Sequence, residues 1–122
     1  MNDANFDPSY TEKRIWRGPS WVNTNYYIVR GLLKQIERLE NGELGSDVHN
    51  LLERMVRLAY KIASDSVKLV KQSGFREFYH PKTGEGYRVK NFGWSTLVVF
   101  LNRTADELLG KYEFLPRKQV TV

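Results

Sequence analysis

Two stretches of this chain are apolar almost all the way round a helix, and a helix of that kind needs neighbours on more than one side. In the first, Trp21, Asn25, Ile28, Leu32 and Ile36 recur every few residues, and Tyr26, Tyr27, Val29 and Leu33 widen the stripe. In the second, Leu97-Val98-Val99-Phe100-Leu101 runs without a polar break. The stretch between them is different. Val48, Leu51, Leu52, Met55, Ala59, Ile62, Ala63 and Val70 form one face, while Arg54, Arg57, Lys61, Asp65 and Lys68 lie mostly on the other. This is the pattern of an amphipathic surface helix. The order is therefore buried helix, surface helix, buried helix. Three helices cannot cover two doubly buried ones by themselves, so the pattern implies a larger assembly or self-association.

Turn chemistry sets the expected boundaries. Residues 1–18 lack periodicity and read as loop. Pro19 is expected to open the first helix, where its missing N–H costs nothing, and Asn41-Gly42 to end it. Ser46-Asp47 is expected to open the second helix, with Ser46 as cap and Asp47 on the N-terminal dipole. That helix should end near Ser73-Gly74. Residues 75–92 read as a long loop with at most short extended pieces, turning at His80-Pro81-Lys82-Thr83-Gly84. A third helix is expected from about residues 92–94 to Leu109, stopped by Gly110. Residues 111–122 read as a basic tail.

Composition narrows the function. A chain of 122 residues implies one domain. It has no cysteine, which excludes disulfides and thiol catalysis. No apolar run approaches the roughly 18 residues of a membrane span, so no membrane partner is expected. Met1-Asn-Asp-Ala-Asn-Phe-Asp-Pro8 has no basic region followed by an apolar one, so a cytoplasmic location is expected. The net charge of +5 is spread over Lys13/Arg14/Arg17, Arg54/Arg57/Lys61, Lys68/Lys71 and Lys111/Arg117/Lys118, with acids interleaved. Ordinary solvated faces explain that spread, and no nucleic-acid partner is expected.

Chemistry concentrates in two places. Glu77 lies between Phe75, Phe78 and Tyr79, aromatics able to desolvate it and prepare it as a base. A plain surface glutamate is the other reading. Trp16, Trp21 and Trp94 each lie near a Gly or Pro at the start of a buried helix, where aromatic faces can stack on sugar. For any one of them taken alone, core packing is the favoured account. Arg17, Asn23 and Asn25 add hydrogen-bonding groups, or braces of the loop. His80 has no partner at metal-ligand spacing and reads as a turn residue. Glu85 reads as a loop carboxylate. No phosphate loop, dinucleotide fingerprint or Ser/His/Asp pattern is present, and neither a metal nor a cofactor is expected.

Trp16-Arg-Gly-Pro-Ser-Trp-Val-Asn-Thr-Asn-Tyr26, Glu77-Phe-Tyr-His-Pro-Lys-Thr-Gly-Glu-Gly86 and Asn91-Phe-Gly-Trp-Ser95 occur in this order. Together they resemble glycoside hydrolase family 63, in particular its mannosylglycerate hydrolase and α-glucosidase-like members, over roughly residues 8–105. The resemblance implies an all-α fold. The chain would be the C-terminal portion of an (α/α)6 barrel, with three main helices and an active-site loop at 75–92. Residues 1–110 would be the barrel segment and 111–122 the tail. It implies that Glu77 is the general base of an inverting α-glycosidase. Trp16, Trp21 and Trp94 match aromatics of the site, and with Arg17, Asn25 and Tyr79 they are the expected carbohydrate contacts. The family's general acid is an aspartate on an earlier part of the barrel, and Asp3 and Asp7 do not sit in a matching motif. The base without the acid implies that the missing barrel segment, or another chain, is a partner. Tyr87-Arg88-Val89-Lys90 departs from the small residues expected after Gly86, which would narrow the pocket or favour an acidic substrate group. The alternative is a non-catalytic sugar-binding or helical interaction module that oligomerises or completes another chain.

Overall fold

The computed structural model describes residues 19–42 and 45–116. Three helices, α1 (Val22–Glu40), α2 (Ser46–Ser73) and α3 (Val98–Lys111), account for most of it. Between α2 and α3 the chain makes an antiparallel hairpin, β1 (Arg76–Tyr79) and β2 (Gly86–Lys90), and a short 3-10 turn at Gly93–Leu97. The three expected helices are thus present.

Helix α2 is the shared wall. Its buried positions Leu52, Val56, Ala59, Ala63 and Ser66 alternate four- and three-residue steps, a seam facing one direction. Three of the five are small, so the neighbouring helices can approach closely. Helix α1 offers Val22, Val29 and Ile36 at seven-residue spacing, and α3 offers Val98, Leu101, Ala105 and Leu108. They meet in two clusters. One, nearer the hairpin, joins Val22, Val29, Ala63, Tyr79, Val98, Leu101 and Ala105. The other joins Ile36, Leu52, Val56, Ala59, Leu108 and Leu115. Outer-face pairs Glu53–Arg57 at 2.7 Å and Lys61–Asp65 at 2.9 Å add modest i,i+4 support.

The apolar excess read from the sequence stays uncovered within the described residues. Tyr27 is 69% exposed, Val99 65% and Phe100 53%.

Several boundaries differ from expectation. Helix α1 begins at Val22 rather than Pro19, because Ser20 spends its N–H and C=O on Tyr79 instead of a helical turn. Ser46 is the first helical residue of α2 and makes no cap hydrogen bond; Gly45 holds the cap position. Helix α3 passes through Gly110 to Lys111. The expected tail is partly folded: Leu115 returns to the second cluster and is buried. Beside it, Lys111 Nζ lies 2.7 Å from the Glu40 carboxylate, to which the Tyr112 hydroxyl also donates. Residues 117–122 lie outside the described residues.

The largest correction concerns residues 75–92, which form an ordered hairpin rather than a loop. Its register pairs Arg76 with Lys90, Phe78 with Tyr87 and Tyr79 with Gly86. Two residues of β2, Arg88 and Val89, therefore face the single residue Glu77 on β1, which is a β-bulge. A two-stranded hairpin is marginal by itself, and this one is tied to α2. Gln72 Nε2 donates to the Thr83 carbonyl at 2.7 Å and Ser73 Oγ to the Gly84 carbonyl at 2.7 Å. Gly84 has φ +75°, and a Cβ there would lie 2.7 Å from Gln72 Oε1. The turn closes with Gly84 N–H donating to the His80 carbonyl and His80 N–H to the Glu85 carbonyl. His80 Nδ1 accepts the N–H groups of Lys82 and Thr83, the turn role expected for it.

Candidate active site

The two motif stretches, far apart in sequence, are paired through their backbones. Ser20 N–H donates to the Tyr79 carbonyl at 2.8 Å, and Tyr79 N–H to the Ser20 carbonyl at 2.9 Å. This isolated antiparallel bridge places Trp21 beside β1. The Trp21 ring lies 5.3 Å from Phe78 and 6.4 Å from Trp94, centroid to centroid. Phe78 in turn lies 6.0 Å from Tyr87, and Trp94 lies 5.3 Å from Phe92. The result is a continuous aromatic layer at offset and tilted geometries, which aromatic quadrupoles favour. Phe78, at its centre, was read from sequence only as a neighbour of Glu77.

The two tryptophans differ. Trp21 is 4% exposed and packs within the layer, whereas Trp94 is 49% exposed and presents its ring outward. Trp94 is held by the 3-10 turn, which is pinned at two points, to β1 and to the residue just before it. The Ser95 hydroxyl donates to the Arg76 carbonyl, and Phe92 N–H donates to the Phe75 carbonyl at 2.9 Å. Ser95 is fully buried, and no sequence signal beyond its place after Trp94 pointed to it.

Glu77 lies on β1, one residue before Phe78, and is partly exposed. Among the described residues its carboxylate makes no hydrogen bond and no ion pair. A carboxylate left free of protein partners keeps its lone pairs for water or substrate, as a base requires.

Tyr79 and Asn25 are placed differently from the expected sugar contacts. Tyr79 has no exposed surface. Its hydroxyl donates to the Gly74 carbonyl at 2.6 Å and accepts the Arg76 N–H at 3.1 Å, so it braces the start of β1. The Asn25 amide nitrogen is within hydrogen-bond distance of Ser20 Oγ at 3.3 Å and Ser66 Oγ at 3.0 Å. That bond ties the start of α1 to α2, with Ser66 itself donating to the Ile62 carbonyl. Asn25 and Tyr79 therefore brace the two sides of the Ser20–Tyr79 bridge. Trp16 and Arg17 lie outside the described residues.

The Tyr87 hydroxyl donates to Glu85 Oε2 at 3.0 Å. Partial burial first, and then the Glu85 carboxylate, push the phenol above its ordinary range. Glu85 is thereby engaged within the hairpin, in keeping with a loop carboxylate.

Two cavities lie elsewhere. One of about 870 Å³ sits between α2, α3 and the turn at Leu115-Pro116, and one of about 350 Å³ lies beside the hairpin turn. Glu77, Trp21 and Trp94 line neither of these two. Among the described residues no group of three or more His, Asp or Glu side chains is placed to hold a metal ion. No helix among them is long and apolar enough to cross a membrane.

Comparison with known proteins agrees with these motifs. Residues 3–95 match the model of the mannosylglycerate hydrolase MGH1-like glycoside hydrolase domain. The chain is similar to the mannosylglycerate hydrolase of Thermus thermophilus, at 31% identity over 97 residues, covering 79% of this chain and 19% of that protein. It is similar to the Schizosaccharomyces pombe protein named "Probable mannosyl-oligosaccharide glucosidase", at 34% identity, covering 81% of this chain and 12% of that protein. Among solved structures, an uncharacterized conserved protein from Thermus thermophilus shares the fold with a TM-score of 0.53 and 28% identity, over 83% of this chain and 21% of that one. The chain thus spans a fifth or less of the length of these curated relatives. With the motif residues joined by the Ser20–Tyr79 bridge and the family match covering both sides of it, the chain belongs to the mannosylglycerate hydrolase MGH1-like group of glycoside hydrolases, family 63 in type.

Proposed function

We propose that this chain carries the general-base side of an inverting α-glycosidase acting on α-mannosidic or α-glucosidic bonds. In this reading its helices form the C-terminal segment of an (α/α)6 barrel. The observation that carries it is the pairing of Ser20 with Tyr79, which sets the Trp21–Phe78–Trp94 layer beside the strand bearing an unengaged Glu77. Trp94 offers its exposed ring to the apolar face of a sugar, together with Trp16 and Arg17 from the adjoining segment. Tyr79 and Asn25 act by positioning.

The reaction follows from this placement. Glu77 removes a proton from a water molecule as the water oxygen attacks the anomeric carbon. The glycosidic C–O bond breaks on the opposite face, and an acid there protonates the departing oxygen. Inversion needs the two carboxyl groups about 6.5–9.5 Å apart, with room for the water between them. The acid is an aspartate on an earlier barrel segment, supplied by a longer chain or by another one. The 122 residues alone therefore hydrolyse little or nothing.

The test is Glu77→Gln in a complete barrel assembled from this segment and the preceding one. The expected loss in kcat is about 10²–10⁴-fold, the range of a positioned general base, with the melting temperature unchanged. A rate within a factor of two of the parent would overturn the assignment of Glu77. A second reading is favoured by the exposed Tyr27, Val99 and Phe100: a non-catalytic helical module that oligomerises or completes another chain. Cooperative melting of discrete soluble oligomers, with sugar bound and no turnover in any assembly, is the result that would select it.

A further inference from the structure

Helix α2 carries two seams. The first, Leu52, Val56, Ala59, Ala63 and Ser66, is buried against the other helices. The second, Arg57, Tyr60, Ser64, Val67 and Lys71, lies one position further on at most steps, about 100° round the helix. Helix α3 repeats the pattern: Asn102, Asp106 and Leu109 follow the buried Leu101, Ala105 and Leu108 by one residue. The second seam of α2 and these three residues of α3 line the cavity of about 870 Å³ between the two helices. Tyr60, Val67 and Leu109 give it an apolar, half-buried floor. Ser64 and Ala105 are small, so a third helix can approach both backbones closely. From Arg57 to Lys71 the groove runs about 21 Å, roughly four turns of such a helix.

Charge decides which helix fits. The α2 wall carries Arg57, Lys61, Lys68 and Lys71. One carboxylate within it, Asp65, serves both Lys61 at 2.9 Å and Lys68 at 3.8 Å. Lys71 makes no ion pair among the described residues. The α3 wall has the opposite sign, at Asp106. A nucleic-acid backbone would meet Asp65, Asp106 and an apolar floor. Residues 117–122 follow Pro116 at the edge of the groove, but Arg117 and Lys118 have the sign of the α2 wall. A second copy docking α2 on α2 would set that wall against itself. An acidic helix meets none of these objections.

The wall is also too charged for permanent cover. An obligate interface resembles a core cut in half, and the exposed Tyr27, Val99 and Phe100 have that composition. An apolar floor with a charged rim is the make-up of an exchangeable interface. We infer that the α2–α3 groove is a docking site for an amphipathic α-helix of a separate polypeptide, with an apolar seam and an acidic flank. The apolar seam lies on Tyr60, Val67 and Leu109, and the carboxylates face Lys61, Lys68 and Lys71. Glu77, Trp21 and Trp94 do not line the groove, so docking there is independent of the proposed glycosidase reading.

The test uses the 122-residue chain and two designed helical peptides of about sixteen residues, close to four turns. They share a leucine seam; one carries glutamates along its flank and the other lysines. Fluorescence anisotropy gives the affinity, and nitrogen-15 NMR gives the place. The glutamate peptide should bind saturably and about tenfold or more tighter than the lysine peptide, weakening as salt rises. The amides of residues 57–71 and 102–109 should shift. The double variant Lys68→Glu/Lys71→Glu should reverse the preference between peptides. It should keep the parent's melting temperature and its methyl α-mannoside shifts near Trp94, because both lysines are exposed. Equal binding of the two peptides, no saturable binding, or shifts centred on Tyr27, Val99 and Phe100 would overturn the docking site. An oligonucleotide held more tightly than the glutamate peptide at the same amides would replace the helix by a nucleic acid. Shifts of those amides with protein concentration alone would put a second copy there instead.

Discussion

The two ends of the helical bundle are built on opposite principles. At the end made by Ile36, Leu52, Val56, Leu108 and Leu115, apolar side chains from all three helices and the C-terminal turn fill the space between them. The Glu40, Lys111 and Tyr112 cluster then closes the rim with matched charge and hydrogen bonds. At the other end, the core around Val22, Val98 and Tyr79 is covered by a short hairpin held mainly through backbone groups. That end carries the exposed Trp94, the left-handed Arg88, the facing Arg76 and Lys90, and Glu77, whose carboxylate has no hydrogen bond or ion pair among the described residues. Local consistency is complete at the first end and deliberately broken at the second. Strain and unmatched charge of this kind persist only where the surroundings over-determine them, and they gather at functional sites.

That contrast can be broken by mutation. The largest effect is expected at the apolar end. Leu115→Ala should lower unfolding free energy by about 2–5 kcal/mol in a urea melt, since it empties a packed site. Sugar shifts near Trp94 should not change. Tyr79→Phe should cost less, about 1–3 kcal/mol, because it strands the buried Arg76 N–H and the Gly74 carbonyl without removing the ring. It should also accelerate amide exchange across β1 and the 3-10 turn, which Leu115→Ala should leave alone. If the ends are independent, the double variant is additive to within about 0.5 kcal/mol. A larger coupling would show that Leu33 and Tyr60, which touch both clusters, fuse the two ends into one unit.

Trp94→Ala sharpens the same comparison at smaller cost. The ring is half exposed, and its contacts to Trp21 and Phe92 are edge contacts worth about 1 kcal/mol together. Stability should fall by no more than about that amount, while methyl α-mannoside binding by NMR titration disappears. Retained sugar binding with a large loss of stability would mean that Trp94 belongs to the core rather than the site.

The same division decides what could be read from the sequence. The helices were legible because the seams of α2 and α3 repeat over many residues. The doubly apolar character of α1 and α3 was legible too, and Tyr27, Val99 and Phe100 now stand exposed where that reading asked for neighbours. The hairpin was not legible. Its strands are four and five residues long, too short for alternation to register, and the bulge at Arg88-Val89, opposite Glu77, breaks the period of two on β2. Nor does any local pattern announce that Ser20 pairs with Tyr79 and so delays α1 by three residues. Leu115 was missed because a lone apolar residue after a helix carries no periodicity. At the site, the motifs singled out Trp21, Glu77 and Trp94, and the structure brings the strand or turn bearing each of them together. They did not reveal that Tyr79 and Asn25 spend their polar groups on the scaffold, since those partners are backbone groups and serines that no periodicity marks.

The smallest expected effect probes the hairpin's charge arrangement through Tyr87. Burial first, and the Glu85 carboxylate after it, raise the phenol above its unfolded value of about 10. The folded state therefore prefers the neutral phenol. The stability this contributes is fully present below the unfolded value and is lost as pH rises through the folded one. Urea melts at pH 9 and pH 11 should show the parent losing slightly more stability than Tyr87→Phe, because the lysines and other tyrosines titrate alike in both. Glu85→Gln should shrink the difference without abolishing it, since burial is the larger cause. Equal losses in parent and Tyr87→Phe would mean that the phenol is as free as in the unfolded chain. The hairpin's outer edge would then be solvated like a loop, and the contrast between the two ends would rest on β1 alone.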